Sequence, residues 1–243
     1  IGYGKMASVQ EIKKEIDYLL KPGILTGKRA LVTSGPTIEQ IDPVRFISNN
    51  SSGKQGHAIA DALRRHGADT NLISGPVNIK DPENVKVTKV NSAEEMLHEC
   101  RESLPVNIAI FAAAVSDWRC SNTSNIKIKK TPENDELNLN LEKNQDILKE
   151  ISTLNKNRPD LVIGFSLETD NLIETAKEKL KNKSCDWIVA NGHYNGKESV
   201  FDSDMNSVKL VENDNLEDWG YLTKNDVAEK LCIKISKFFN EAA

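Results

Sequence analysis

The sequence predicts an α/β protein: a mostly parallel sheet with helices on both faces. Three observations carry this prediction. Short apolar runs alternate with helical patterns from residue 27 onward. The run from 108 to 111 is apolar throughout, as a strand covered on both faces must be. Polar and small residues gather after the apolar runs at 33, 111, 165 and 190, where sheets of this kind hold ligands.

In chain order, residues 1–7 lead into a helix opened by a capping box of Ser8 and Glu11. Its apolar face is Ile12, Ile16, Leu19 and Leu20, and Lys21-Pro22-Gly23 stops it. Residues 30–33 form the first strand of the main body. A loop holding Asp42-Pro43 and Ser51-Ser52-Gly53 follows, then a helix with Ile59, Ala62 and Leu63 inward and Gly67 as its stop. Strands are expected at 70–73 and 85–90, and Ser92 with Glu95 caps the next helix. After the strand at 108–111, residues 121–136 are polar, lack helical periodicity and read as a mobile loop. Leu137, Leu139 and Leu141 alternate with Asn138 and Asn140, predicting a half-buried strand. Helices near 145–154 and 171–183 flank a strand at 161–165. Further strands are expected at 186–190 and 208–211, and Thr223 with Asp226 opens a terminal helix.

Composition narrows the function classes. Of the 243 residues, 38% are hydrophobic and 28% charged with the signs interspersed, which describes an ordinary globular protein. A net charge of −4 argues against nucleic acid as a partner. The local run Lys127, Lys129, Lys130 suits a phosphate-bearing small molecule. Cys100, Cys120, Cys185 and Cys232 form no C-x-x-C pair, and the four histidines do not cluster with them, so no structural zinc is expected. No apolar run reaches membrane-spanning length, and a cytoplasmic, reduced setting is expected.

The segment from Gly35 to Gly56 is a long loop bearing Arg45, Asn49, Ser51, Ser52 and Lys54, and it enters a helix at Gly53. It is no P-loop: Gln55 follows Lys54 where Ser or Thr would be needed, and there is no G-x-G-x-x-G fingerprint for a nicotinamide cofactor. Backbone N–H groups at the helix start suit an anion. Residue chemistry alone leaves both this site and a plain surface loop open.

Several runs in order resemble the phosphopantothenoylcysteine synthetase family. These are Asp42–Asn49 with Ser51–Lys54, Ala112–Arg119, Lys127–Lys130, Gly164-Phe165 with Glu168-Thr169, Ala176–Lys183 into Ala190-Asn191, and Phe201 with Ser203, Asp204 and Asn206. Trp118 stands where the family often has Tyr, Gln145 where it usually has Pro, and Ile38 where a basic residue is common. Gly2–Ala7 resembles the end of the flavin-dependent decarboxylase domain fused ahead of the synthetase in bacteria. The resemblance implies a Rossmann-like ligase domain at 27–243, with 1–26 the tail of a preceding decarboxylase domain and a linker helix.

It also implies a reaction. 4′-Phosphopantothenate is activated by CTP, with Mg²⁺, as an acyl-cytidylate, and cysteine then displaces the nucleotide. FMN would belong only to the decarboxylase domain. Asn49, Lys127 and Arg45 are the implied catalytic residues. Lys127 would serve the first step, Asn49 the acyl transfer, and Arg45 the same substrate end. Nucleotide contacts would come from Phe111, Ala112, Ala113, Asp117, Lys127, Asp146, Ile147, Leu148, Phe165, Lys179 and Lys183. Substrate contacts would come from Ser51, Ser52, Gly53, Lys54 and Ala114. Lys179 and Lys183, four apart, share a helix face, although Lys177 and Lys181 on the same helix keep a plain solvated face open. No metal ligands are assigned. A homodimer is implied, with part of 115–142 and the later strands extending a sheet toward the partner, and a larger assembly with the decarboxylase portion.

Overall fold

The computed structural model describes residues 23–129, 136–168, 171–192 and 205–241, with positions 6, 8, 9, 12, 13 and 16 before them. Expectations on Glu11, Leu19, Leu20, Lys130, Thr169, Phe201, Ser203 and Asp204 lie outside the described residues. Of the opening helix, positions 9, 12, 13 and 16 are helical, and the Ile12 N–H donates to the Ser8 carbonyl at 2.9 Å.

The elements follow in order. β1 (Arg29–Ser34) is followed by a hairpin of β2 (Ile38–Gln40) and β3 (Phe46–Ser48) and then by α1 (Lys54–Arg65). Next come β4 (Asp69–Ser74), β5 (Lys86–Lys89), α2 (Ala93–Glu102) and β6 (Ile108–Phe111). A second ribbon, β7 (Trp118–Cys120) with β8 (Leu141–Lys143), precedes α3 (Ile147–Ser152), β9 (Leu161–Glu168) and α4 (Leu172–Lys183). β10 (Trp187–Gly192), β11 (Met205–Val211), β12 (Leu216–Thr223) and α5 (Lys224–Glu241) complete the chain.

Eight strands form one sheet in the order β12-β11-β10-β9-β6-β1-β4-β5. The six from β5 to β10 are parallel, and β11 and β12 continue the sheet antiparallel. The sheet is therefore mostly parallel and covered by helices, as expected. The chain winds outward from β1 through β4 to β5, then returns to place β6 on the other side of β1.

Apolar burial explains the layering. Ile59 and Leu63 of α1 pack with Val227, Leu231 and Ile235 of α5 against Val32, Leu72 and Ile110 on one face. Met96 and Leu97 of α2, Ile151 of α3 and Leu180 of α4 pack against Leu31, Ile73, Val162 and Ile188 on the other. β1, β6 and β9 thus bury side chains on both faces, which is why their sequences are continuously apolar. Ser92 caps α2 as expected, its hydroxyl accepting the Glu95 N–H at 3.2 Å. Thr223 accepts the Asp226 N–H at 3.0 Å at the start of α5.

The alternating leucines turn out differently. Only Leu141 lies in a strand, and Leu137, Leu139 and Leu141 are exposed. The partner strand β7 is three residues long, and residues 136–140 pair with no strand among the described residues. Alternation of period two signals a half-buried strand only where a core supplies the buried side. β2, β3, β7 and β12 were not expected from sequence. All but β12 are three residues long, and β12 is an edge strand. All four cysteines are free and buried, and burial pushes the Cys185 thiol up to about 12. Among the described residues no helix is long and apolar enough to cross a membrane.

Gly164 in β9 marks a tight contact between the sheet and α3. A Cβ there would stand 2.6 Å from Leu148 Cδ2 and 2.8 Å from Ile188 Cδ1. Gly164→Ala overpacks this layer, so a loss of about 1–3 kcal/mol is expected in urea unfolding. An unchanged midpoint would show that the layer can relax.

Candidate functional site

The crevice forms where the strand order reverses, between the carboxyl ends of β1 and β6. The chain leaving β1 and the chain leaving β6 are stitched together there. The Ala112 N–H donates to the Thr33 carbonyl, and the Ala113 N–H to Thr33 Oγ1, both at 3.3 Å. The Ala114 N–H donates to the Gly35 carbonyl at 2.9 Å, and Pro36 and Ala114 form an isolated bridge. The Ser116 N–H then finds the buried Thr37 hydroxyl at 2.9 Å. These bonds hold two small-residue loops open over a cleft of about 910 Å³. That volume fits a nucleotide-sized ligand.

The long loop after β1 is ordered by its own side chains. Ser48 Oγ donates to the Thr37 carbonyl at 2.7 Å, and Asn49 Nδ2 donates to the Val115 carbonyl at 2.8 Å. Asn49 is thereby tied to the segment after β6. Gly53 ends the loop with φ 72°, and a Cβ there would lie 2.6 Å from Val77, so the turn into α1 requires glycine. No side chain caps α1, leaving its positive end to face the cleft. Behind it, buried His57 sits 2.9 Å from Ser34 Oγ and 3.1 Å from the Gly53 carbonyl, and burial lowers its pKa.

The opposite wall is cationic. Lys179 and Lys183 of α4 both line the cleft and are half-buried, whereas Lys177 and Lys181 are exposed. Lys179 Nζ donates to Ser166 Oγ at 3.0 Å. Lys183 pairs with Asp146, which also caps α3 by accepting the Lys149 N–H at 3.0 Å. With Lys54, Lys143 and Lys224, five lysines face two aspartates, Asp117 and Asp146, across the cleft. The chain as a whole is net negative, so the cleft concentrates the positive charge that a phosphate chain needs.

Of the expected site residues, Asn49, Ser51–Lys54, Phe111–Ala114, Asp117, Asp146–Leu148, Phe165, Lys179 and Lys183 line this one cleft. Arg45 and Lys127 do not. Arg45 Nη1 pairs with Asp42 at 2.5 Å and donates to the Ile128 carbonyl at 3.2 Å. Buried Asp42 accepts N–H bonds from Val44 and Arg45 at 2.8 Å and from Ile128 at 3.1 Å. The loop carrying exposed Lys127 is thus pinned at Ile128 to the hairpin that leads into Asn49. Asn144, Gln55, Asn191, Asn206 and Lys224 also line the cleft and were not in the expected set. Asn191 and Asn206 fall in runs that carried the resemblance; Asn191 directly follows the apolar run ending at 190, where a ligand is expected, whereas nothing in its spacing marks Asn206 as a cleft residue. No group of three His, Cys, Asp or Glu side chains able to hold a metal occurs among the described residues.

Fold and site together define a doubly wound α/β domain with a lysine-lined cleft at its crossover. The chain belongs to the family of the DNA/pantothenate metabolism flavoprotein C-terminal domain, whose model matches residues 25–239. A coenzyme A biosynthesis bifunctional protein CoaBC of Haemophilus influenzae is 42% identical over 212 residues, covering 86% of this chain and 52% of that protein. A cysteine/cysteine sulfinic acid decarboxylase from an unknown prokaryotic organism is 39% identical over 242 residues, covering 96% and 66%. The solved C-terminal domain of a CoaBC protein has a TM-score of 0.74 at 33% identity, covering 90% of this chain and 99% of that one. The chain spans about half the length of that Haemophilus relative.

The Asp42 knot has a pH signature. Burial would raise its pKa, but N–H bonds from Val44, Ile128 and Arg45, with the Arg45 charge, bring it down to about 2 from 3.8. Its contribution to stability is therefore full above pH 3.8 and lost as pH falls toward 2. Asp42→Asn is expected to flatten the fall in stability across that window and to speed hydrogen exchange at the Ile128 amide at neutral pH. Unchanged exchange would mean that the knot does not hold the loop.

Proposed function

We propose that this chain is a phosphopantothenate–cysteine ligase domain working in coenzyme A biosynthesis. The phosphopantothenate carboxylate attacks the α-phosphorus of CTP, pyrophosphate leaves, and an acyl-cytidylate forms. The cysteine amine then attacks the acyl carbon, loses a proton, and expels CMP to give 4′-phosphopantothenoylcysteine. The observation that carries this reading is that one cleft joins Asn49 to a wall of lysines in a chain of the CoaBC C-terminal family.

The first step brings a carboxylate to a triphosphate, and cations must offset their repulsion. Lys179 and Lys183 supply two of these charges by exchanging Ser166 and Asp146 for phosphate oxygens. Lys127 supplies another when its loop turns inward from the Ile128 anchor. Arg45 acts through that loop as a positioning residue. The second step builds an oxyanion on the acyl carbon, and the neutral Asn49 amide is suited to stabilise it without reacting. Mg²⁺ accompanies CTP as its counter-ion, since the described residues offer no cluster of their own for it.

Residues 1–26 are read as the tail of a decarboxylase domain with a linker, and FMN belongs to that domain. A cytoplasmic setting and assembly with the decarboxylase portion complete the proposal. A homodimer is supported by exposed apolar side chains on and beside the two ribbons, Phe46, Trp118, Leu139 and Leu141 among them. Sedimentation should show a dimer at micromolar concentration, and Leu139→Lys should weaken it; a wild-type monomer would remove this part.

The deciding assay follows pyrophosphate release with CTP or ATP, phosphopantothenate and cysteine. Release is expected with CTP and only when phosphopantothenate is present. Lys127→Gln should abolish it. Asn49→Asp should slow acyl transfer by about 10²–10³-fold, so the acyl-cytidylate accumulates. Wild-type rates in both variants would end the assignment of these residues. Carbon dioxide release from cysteine without nucleotide would instead favour the activity named for the decarboxylase relative.

A further inference from the structure

The cleft contains an unusual run of unmet hydrogen-bonding capacity. Asn144, Asn191 and Asn206 each line it with a side-chain oxygen that is shut from solvent and has no partner among the described residues. Buried polar atoms are nearly always paired, so a group of bare acceptors in one cleft calls for a donor that arrives from outside. Asn206 is the most constrained of the three and is almost fully buried.

Its orientation follows from the chemistry of its neighbours. Because β11 runs antiparallel to β10, the start of β11 stands at the same end of the sheet as the carboxyl ends of the parallel strands. Asn206 there meets Gln55 from the first turn of α1, and Gln55 meets the Lys224 carbonyl at the start of α5. A carbonyl only accepts, so Gln55 must turn its Nε2 toward Lys224, at 3.2 Å. Gln55 Oε1 then faces Asn206 and takes an N–H from Nδ2 at 3.1 Å. The Asn206 oxygen is left on the remaining side as a fixed acceptor. Flipping either amide would set oxygen against oxygen, so the direction of this chain of bonds is locked by Lys224.

A fixed neutral acceptor selects a hydroxyl or amide N–H and offers nothing to a phosphate or carboxylate oxygen. Gln55 directly follows Lys54, so this acceptor belongs to the Ser51–Lys54 end of the cleft. Its neighbours Gln55 and Lys224 belong to α1 and α5 on one face of the sheet, whereas Asp146 and Lys183, assigned to the nucleotide, belong to α3 and α4 on the other. The phosphorylated acid carries one hydroxyl and one amide N–H between its phosphate and its carboxylate. We propose that Asn206, held in one orientation by Gln55, is a specificity determinant that accepts a hydrogen bond from this donor-bearing arm of the acid substrate. The inference rests on the ligase reading and assigns a residue to the recognition of its acid.

The test is a substrate-analogue cycle on the chain, followed by pyrophosphate release. The acid is compared with a deoxy analogue lacking the hydroxyl and with an ester analogue lacking the amide N–H. Asn206→Ala should raise KM for the acid about ten-fold while kcat and KM for CTP stay within about two-fold. Wild type should discriminate about ten-fold against whichever analogue lacks the donor that Asn206 reads, and the variant should not. The other analogue should be affected equally in both proteins, which identifies the donor. Gln55→Met leaves Asn206 in place but unlocks it, and should lose part of the same discrimination with kcat unchanged; it carries the test should Asn206→Ala fail to fold. Equal discrimination by wild type and variants overturns the proposal, as does a rise confined to KM for CTP. Absence of any acid-dependent release by wild type would instead bring down the ligase reading itself.

Discussion

The reversal of strand order at β1 and β6 is the constraint on which the rest depends. The helix reached after β1 lies on one face of the sheet and the helix reached after β6 lies on the other. The two connections must diverge as they leave the sheet, and no helix can close the gap between them. Bonds from Thr33, Gly35 and Pro36 to residues 112–114 hold that gap at a fixed width. The small side chains Ala112–Ala114 follow from this geometry, because bulk there would fill the crevice. Asn49 and the start of α1 border the same gap because the hairpin returns the chain to it.

Charge completes what topology begins. A net-negative chain would repel a triphosphate, yet its cleft is lined by more lysines than carboxylates. Without ligand these lysines occupy themselves: Lys179 with Ser166, Lys183 with Asp146. Such contacts keep the ammonium groups aligned at modest energetic cost, since partly exposed ion pairs are weak and an arriving phosphate can replace them. Asp42 does the opposite. Buried and fully bonded, it fixes the hairpin tip and the Ile128 loop in one arrangement and leaves Lys127 in solvent.

Much of this was legible in the sequence where burial is continuous or helical spacing is strict. The apolar run at 108–111, the inward face of α1 and the Ser92 box all gave elements in the right places, because local pattern and tertiary environment agree there. Lys179 and Lys183 separate from Lys177 and Lys181 only through the rotation of α4 against the sheet, which spacing suggests but cannot orient. The alternating leucines misled because their side chains stay exposed rather than meeting a core among the described residues. The resemblance implies that Arg45 serves the same substrate end as Asn49, while the structure commits it to Asp42 and Ile128. Asn206 reaches the cleft because β11 turns antiparallel, a choice of topology that the residues of β11 do not encode locally.

The proposed ligase reaction requires the crossover between β1 and β6 to hold the nucleotide. A crystal structure with a non-hydrolysable CTP analogue tests it most directly. The base and ribose are expected against Phe111–Ala113, Asp117 and Asp146–Leu148, with the phosphates reaching Lys179 and Lys183. Density for the analogue elsewhere on the chain, with Lys183 still paired to Asp146 and the crevice empty, would contradict it.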